Sequence, residues 1–85
     1  MEIRYSKQAT KILNSCGRNI KQNILNKILG LTENPPKGDI KPLKGSKTEN
    51  RLRVGKYRVV YEYLSEYEIK ILMINKIDSR GDIYK

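Results

Sequence analysis

The pattern in this sequence most suited to chemistry is a set of arginines within residues 51–63. A two-residue turn at 55–56, with glycine first, predicts a β-hairpin that pairs Arg53 with Arg58 and places Arg51 on the same face. Like charges at opposed positions destabilise an antiparallel pair, in which a favourable pair contributes roughly 0.2–1 kcal/mol. Because guanidinium is always charged and its planar fork matches phosphate, the cluster predicts an anion-binding face.

The opposite face of this hairpin is apolar. Side chains alternate across a strand, so one side carries Leu52, Val54, Tyr57, Val59 and Tyr61. We expect this side to pack on a core and the two tyrosines to serve packing. The structural alternative for the arginines is a carboxylate partner such as Glu62 or Glu68. Glu62 is also a candidate general base, although a solvated cross-strand contact with a lysine is the simpler role.

Charge and composition restrict the partners and cofactors. Eighteen Lys and Arg residues against nine Asp and Glu give a net charge of +9, which suits a polyanion, with nucleic acid first. Membrane binding is the alternative, but the densest charge lies in the hairpin and the loop before it rather than on a helix. The sequence has no apolar run of transmembrane or signal-peptide length, so we expect a soluble cytoplasmic protein without membrane contact. Because the sequence has one cysteine and no histidine, no intramolecular disulfide and no Cys/His zinc site can form. We expect no metal and no cofactor.

The elements that must position these arginines follow from periodicity. A short strand with Ile3 and Tyr5 precedes two helices, the first capped by Ser6, with a break at 14–17 and a stop at the prolines after Asn34. Strands follow at about 51–54, 57–64 and 68–77, the last apolar enough to be central. This order, β-α-α-β-β-β, predicts a single α+β domain over residues 1–85. It has an N-terminal strand, an α-helical hairpin on one face of a mainly antiparallel sheet of about four strands, and an open second face.

A basic loop joins the helical hairpin to the strands. It spans residues 35–50 and is punctuated by proline and glycine. If it binds RNA, its lysines should contact phosphates of messenger or ribosomal RNA without reading sequence; a solvated loop is the alternative. The candidate RNA-binding residues, with one lysine of the hairpin turn, are Lys37, Lys41, Lys44, Lys47 and Lys56.

Three segments together resemble the RelE/ParE toxin superfamily, and specifically its RelE-like messenger-RNA endonucleases. They are Lys41-Pro42-Leu43-Lys44-Gly45 after the helical hairpin, the segment 51–61 with its Gly-x-Tyr-Arg-x-x-Tyr core, and the terminal Arg80-Gly81-Asp82-Ile83-Tyr84. The combination spans almost the whole chain, whereas either the core or the terminal motif alone would be weak.

The resemblance implies a toxin of a type II toxin–antitoxin system that enters the ribosomal A site and cuts messenger RNA without a metal. A RelB-like antitoxin would silence it, and its other partners would be the 70S-type ribosome and mRNA. The family's catalytic positions fall on Arg51, Arg53, Arg58, Arg80 and Tyr84. Arginine suits charge stabilisation, so Tyr84 is the plausible proton carrier, and Tyr84 or Tyr61 is alternatively a base-stacking platform.

Two departures from the family pattern stand at the C-terminus. Asp78-Ser79 occupies positions where relatives often carry histidine or another basic residue, and the sequence up to Lys85 predicts no additional C-terminal helix of the kind that some relatives have. Two other functions therefore stay open. One is a ParE-like toxin that poisons gyrase, and the other is a catalytically silent relative that binds RNA.

Overall fold

The computed structural model describes residues 1–79, which form two helices on one face of a five-stranded sheet. The elements are β1 Glu2–Tyr5, α1 Lys7–Ser15, α2 Arg18–Gly30, β2 Asp39–Pro42, β3 Asn50–Val54, β4 Tyr57–Glu66 and β5 Ile69–Ser79. The sheet order is β1-β5-β4-β3-β2, with β1 parallel to β5 and the other pairs antiparallel. The predicted α+β fold is confirmed.

Local sequence signals account for the helical hairpin. Ser6 caps α1, because its hydroxyl accepts from the backbone N–H of Ala9 at 3.0 Å. The same hydroxyl donates to the carbonyl of Asn75 at 2.8 Å, which ties the start of the helix to β5. Gly17, with φ +92°, separates the two helices in a conformation that side-chain-bearing residues rarely adopt. No helix of residues 1–79 has the length and apolar character needed to cross a membrane.

The core lies between the helices and one face of the sheet. Ile24 and Ile28 of α2 are fully buried against Leu52, Leu72 and Ile74 of the strands. The arginines of β3 and β4 alternate with these core positions along the strands and therefore lie on the other face. We call that second face, opposite the helices, the open face.

The hairpin register predicted from the turn is confirmed. Arg53 pairs with Arg58, and the three neighbouring pairs are Val54–Tyr57, Leu52–Val59 and Arg51–Val60. Gly55 has φ +60°, whereas Lys56 does not have a positive φ, which fits the type II′ turn that glycine at the first loop position favours.

Three sequence expectations need correction. Residues 39–42, predicted as part of a long loop, form the edge strand β2, which pairs with β3. The last strand, expected to be central, is an interior strand between β1 and β4, but the middle position of the sheet belongs to β4. Ile20 of α2, whose spacing of four from Ile24 and eight from Ile28 predicts an inward position, is more than one third exposed.

Candidate functional site

Two adjacent rows of side chains run across the strands on the open face. Pairing across four strands aligns Asp39, Arg53, Arg58 and Asp78 in what we call the arginine row. The adjacent lysine row consists of Lys41, Arg51, Val60 and Lys76. Side chains at paired positions point to the same face, so the register alone brings these groups together. Within these two rows, five cationic side chains against two carboxylates leave a positive excess.

Each carboxylate of the arginine row bridges two cations. Asp39 lies 3.5 Å from Nη1 of Arg51 and 4.0 Å from Nε of Arg53. At the other end, Oδ2 of Asp78 lies 3.3 Å from Nη2 of Arg58 and 3.6 Å from Nζ of Lys76. Arg53 and Arg58 thus remain opposed, and each has its own carboxylate on the outer side.

Burial differs between the two ends of the row. The Asp78 side chain is 15% exposed and Arg58 30%, whereas Asp39 is 52% exposed and Arg53 42%. Ion pairs between exposed side chains contribute little, with a median of about 0–1 kcal/mol. The Arg58–Asp78 end is therefore the more fixed part of the row.

The structural alternative, a carboxylate partner for the arginines, is present, but the partners are not the glutamates named from the sequence. Among residues 1–79, the acidic groups that pair with the site arginines are Asp39 and Asp78, not Glu62 or Glu68. The positions of Asp39 and Asp78 beside the arginines follow once the hairpin register is extended by one strand on each side. Because strands 39–42 and 69–79 flank the hairpin, Asp39 falls beside Arg53 and Asp78 beside Arg58.

Glu62 has a different role from either one considered. Its carboxylate accepts a hydrogen bond from the side-chain amide of Asn75 at 2.7 Å, and that amide also donates to Glu49 at 2.8 Å. Asn75 lies at an irregularity in the β4–β5 pairing, since Val60 pairs with Lys76 and Tyr61 with Ile74. Glu49 and Glu62 therefore lie at the border of the cationic rows, on the side toward the second half of β4.

Two tyrosines of β4, Tyr61 and Tyr63, are poor proton carriers near neutral pH. Tyr61 is 1% exposed, and burial raises its pKa to about 12. Tyr63 packs against its ring edge to face, with the ring centroids 5.6 Å apart, and burial raises the pKa of Tyr63 as well. The packing role expected for Tyr61 is confirmed, and base stacking by Tyr61 is excluded by its burial. Tyr57 also packs against the core cluster.

The candidate RNA-binding lysines do not form one cluster. Lys41 lies on β2 opposite Arg51 and joins the lysine row. Lys44 and Lys47 are exposed between β2 and β3, and Lys56 is exposed in the hairpin turn. The Nζ of Lys37 lies 3.1 Å from the carboxylate of Glu33, just after α2. Lys76, which the sequence reasoning did not single out, contributes more directly to the site than Lys37.

Arg51, Arg53 and Arg58 share the open face as expected. The other two predicted site residues, Arg80 and Tyr84, lie outside the described residues. The arrangement of residues 1–79 can bind a phosphate through guanidinium groups from two adjacent strands. It offers charge stabilisation, and Tyr61 and Tyr63, which lie on the helix-facing side of the sheet with raised pKa values, offer it no proton transfer near neutral pH.

Fold and sequence define the class of this protein. The family model "ParE toxin of type II toxin-antitoxin system, parDE" matches residues 3–84, so the chain belongs to this toxin family, within the RelE/ParE superfamily. The resemblance inferred from the sequence motifs is confirmed.

Particular relatives are of the RelE type. "Putative toxin RelE1" of Methanocaldococcus jannaschii is 47% identical over 49 residues, which are 58% of this chain and 52% of that protein. The chain thus spans about half the length of the curated relative that it matches. The RelE–RelB complex from Pyrococcus horikoshii OT3 has a TM-score of 0.70 and 28% identity, covering 94% of each chain. The RelB–RelE antitoxin–toxin complex from Methanococcus jannaschii has a TM-score of 0.71 and 25% identity, covering 95% of this chain and 94% of the other.

Proposed function

We propose that this toxin is a ribosome-dependent endoribonuclease that cuts messenger RNA in the A site and so stops translation in the cytoplasm. The observation that carries the proposal is the pairing of Arg53 with Arg58 on the open face, flanked by the cations of the lysine row. Opposed arginines oppose folding slightly, so a phosphate that binds between them would offset the repulsion.

In the proposed reaction, the 2′-hydroxyl of one nucleotide attacks the adjacent phosphorus and the 5′-oxygen of the next nucleotide leaves. Negative charge grows on the non-bridging phosphate oxygens, and donors fixed on strands can stabilise it without reorganising. We assign this role to Arg53 and Arg58, with Arg51 holding a neighbouring phosphate. Arg80 would add charge, and Tyr84 would carry the proton from the 2′-hydroxyl to the leaving 5′-oxygen.

Dependence on the ribosome follows from the same residues. In-line attack requires the RNA backbone to be bent until nucleophile, phosphorus and leaving oxygen align. The rows lie on the face of a sheet and supply charge, while the ribosome would supply the bent backbone. The reaction needs no metal in this scheme, because the guanidinium groups supply the positive charge that a metal cation would otherwise bring to the phosphate.

A RelB-like antitoxin is the proposed protein partner. The two solved structures compared above are complexes of a RelE protein with RelB. A segment with acidic side chains toward Arg51, Arg53 and Lys76 would complement the positive excess of the rows. It would also cover the surface that is proposed to bind RNA.

Gyrase poisoning is the second candidate. It is favoured by the match to the ParE family model and by the two carboxylates that already neutralise part of the arginine row. A protein-binding toxin has less need of a phosphate-sized cationic cluster, which is why the nuclease is proposed first.

Primer extension on a messenger in a purified translation reaction tests the proposal. The protein is added with ribosomes and without them. Codon-spaced cuts that require ribosomes support the nuclease. Intact messenger in both reactions would refute it, and a gyrase cleavage assay on the same preparation would then separate the ParE-like toxin from a silent RNA-binding relative.

A further inference from the structure

The pair Arg58–Asp78 is incomplete. Nη2 of Arg58 lies 3.3 Å from Oδ2 of Asp78, which is a long single contact. The remaining Nε–H of Arg58 and the Oδ1 of Asp78 are both buried, and within residues 1–79 neither finds a hydrogen-bond partner. A guanidinium and a carboxylate can form two parallel hydrogen bonds, so this pair makes one of the two that its groups allow.

A phosphate is the natural competitor of this carboxylate. It presents the same pair of oxygens to the guanidinium fork, and it would take both the Nη2 donor and the unpartnered Nε donor of Arg58. Lys76, now 3.6 Å from the same Asp78 oxygen, would keep the displaced carboxylate paired. Exchange of one anion for another therefore leaves no charge without a partner.

We infer that Asp78 is a built-in competitor for the phosphate site of Arg58, and that it limits the RNA that this face can hold. The inference rests on the proposed function, because it assigns Arg58 to a substrate phosphate. Single-stranded RNA must displace Asp78 to reach Arg58, so free RNA binds weakly. RNA that is held in place by the ribosome can displace it, since its other contacts are already made.

Asp39, at the other end of the row, is a weaker competitor. Its contacts with Arg51 and Arg53 measure 3.5 Å and 4.0 Å, and its side chain is about half exposed. Solvent screens such a contact, and a phosphate displaces it at little cost. The selectivity is therefore assigned to Asp78 rather than to acidic residues of the face in general.

The test measures binding of a single-stranded RNA oligonucleotide by fluorescence anisotropy at fixed salt. Asp78→Asn is compared with Glu62→Gln, which makes the same change of charge on the same face. Glu62 bonds to Asn75, and no ion pair joins it to an arginine within residues 1–79. Asp78→Asn should tighten binding about tenfold beyond Glu62→Gln, the lower end of what one charge-assisted hydrogen bond supplies.

The same pair of variants is then made in an Arg58→Ala background. If Asp78 acts through Arg58, its excess effect disappears there, whereas a general effect of charge persists. Asp78→Ser serves as a second variant without an amide, and thermal unfolding shows that each variant is folded. Equal affinities of Asp78→Asn and Glu62→Gln would overturn the inference while leaving ribosome-dependent cleavage by the wild type intact. If the wild type cuts no ribosome-bound messenger and Asp78→Asn binds no RNA, the inference and the proposed function both fail.

Discussion

Replacing Arg53 by threonine tests whether the arginine row exists for function rather than for the fold. Arg53 faces Arg58 directly, and removal of a like-charged cross-strand pair gains roughly 0.2–1 kcal/mol. Its contact with Asp39 at 4.0 Å is exposed on both sides and contributes at most about 1 kcal/mol. Threonine also has a favourable β-propensity, which adds about a few tenths of a kcal/mol to the unfolding free energy. The variant should therefore be as stable as the wild type or up to about 1 kcal/mol more stable.

Urea unfolding gives the free energy of unfolding for the two proteins at low and at high salt. The gain should shrink at about 1 M NaCl, where the Debye length is about 3 Å. Lys70→Thr is the matched control, because Lys70 is an exposed strand residue whose cross-strand partner is Ser65 rather than a cation. A loss of more than about 1 kcal/mol in Arg53→Thr would refute the reasoning, since it would mean that Arg53 supports the fold.

Three further predictions concern stability. Tyr67 and Glu68 both have positive φ in the turn between β4 and β5, so replacing them by Asn-Gly should raise the unfolding free energy by about 1–2 kcal/mol. In contrast, Gly38→Ala should destabilise the protein more than Gly45→Ala. Both glycines have positive φ, but of the two only Gly38 would bring a Cβ against a core leucine, at 2.6 Å. Chemical denaturation of the two variants measures the difference in unfolding free energy. Burial raises the pKa of Tyr61 to about 12, whereas the pKa in the unfolded chain is about 10. The protonated Tyr61 side chain therefore stabilises the fold fully below about pH 10, and this contribution is lost as the pH rises to about 12. Tyr61→Phe should flatten the fall of the melting temperature over that range, and an unchanged slope would contradict this prediction.

Local signals in the sequence were sufficient for the hairpin and the helices. Gly55 set the turn and thereby the whole register of β3 and β4, and Ser6 marked the start of α1. Alternation then assigned the arginines to one face and the core residues to the other. These inferences succeeded because each depends on neighbours within a few residues.

Long-range pairing was beyond such signals. Residues Asp39–Pro42 contain a proline and charged residues, which seldom form strands, and they become β2 only by pairing with the edge of β3. Asp39 and Asp78 approach the arginines through the registers of two further strands. Asp78 was therefore read as a departure from the family pattern, although it is the partner of Arg58.

The most direct test of the central claim is the single-turnover rate of cleavage of ribosome-bound messenger by Arg58→Ala. Loss of a charge stabiliser at the phosphate should slow cleavage by about 100-fold or more, and Arg58→Lys should recover only part of the rate. Lys27→Ala is the charge-matched control, because Lys27 is exposed on α2, away from the open face, and this variant should cut like the wild type. Cleavage by Arg58→Ala at the rate of Lys27→Ala would contradict the assignment of the arginine row to the scissile phosphate.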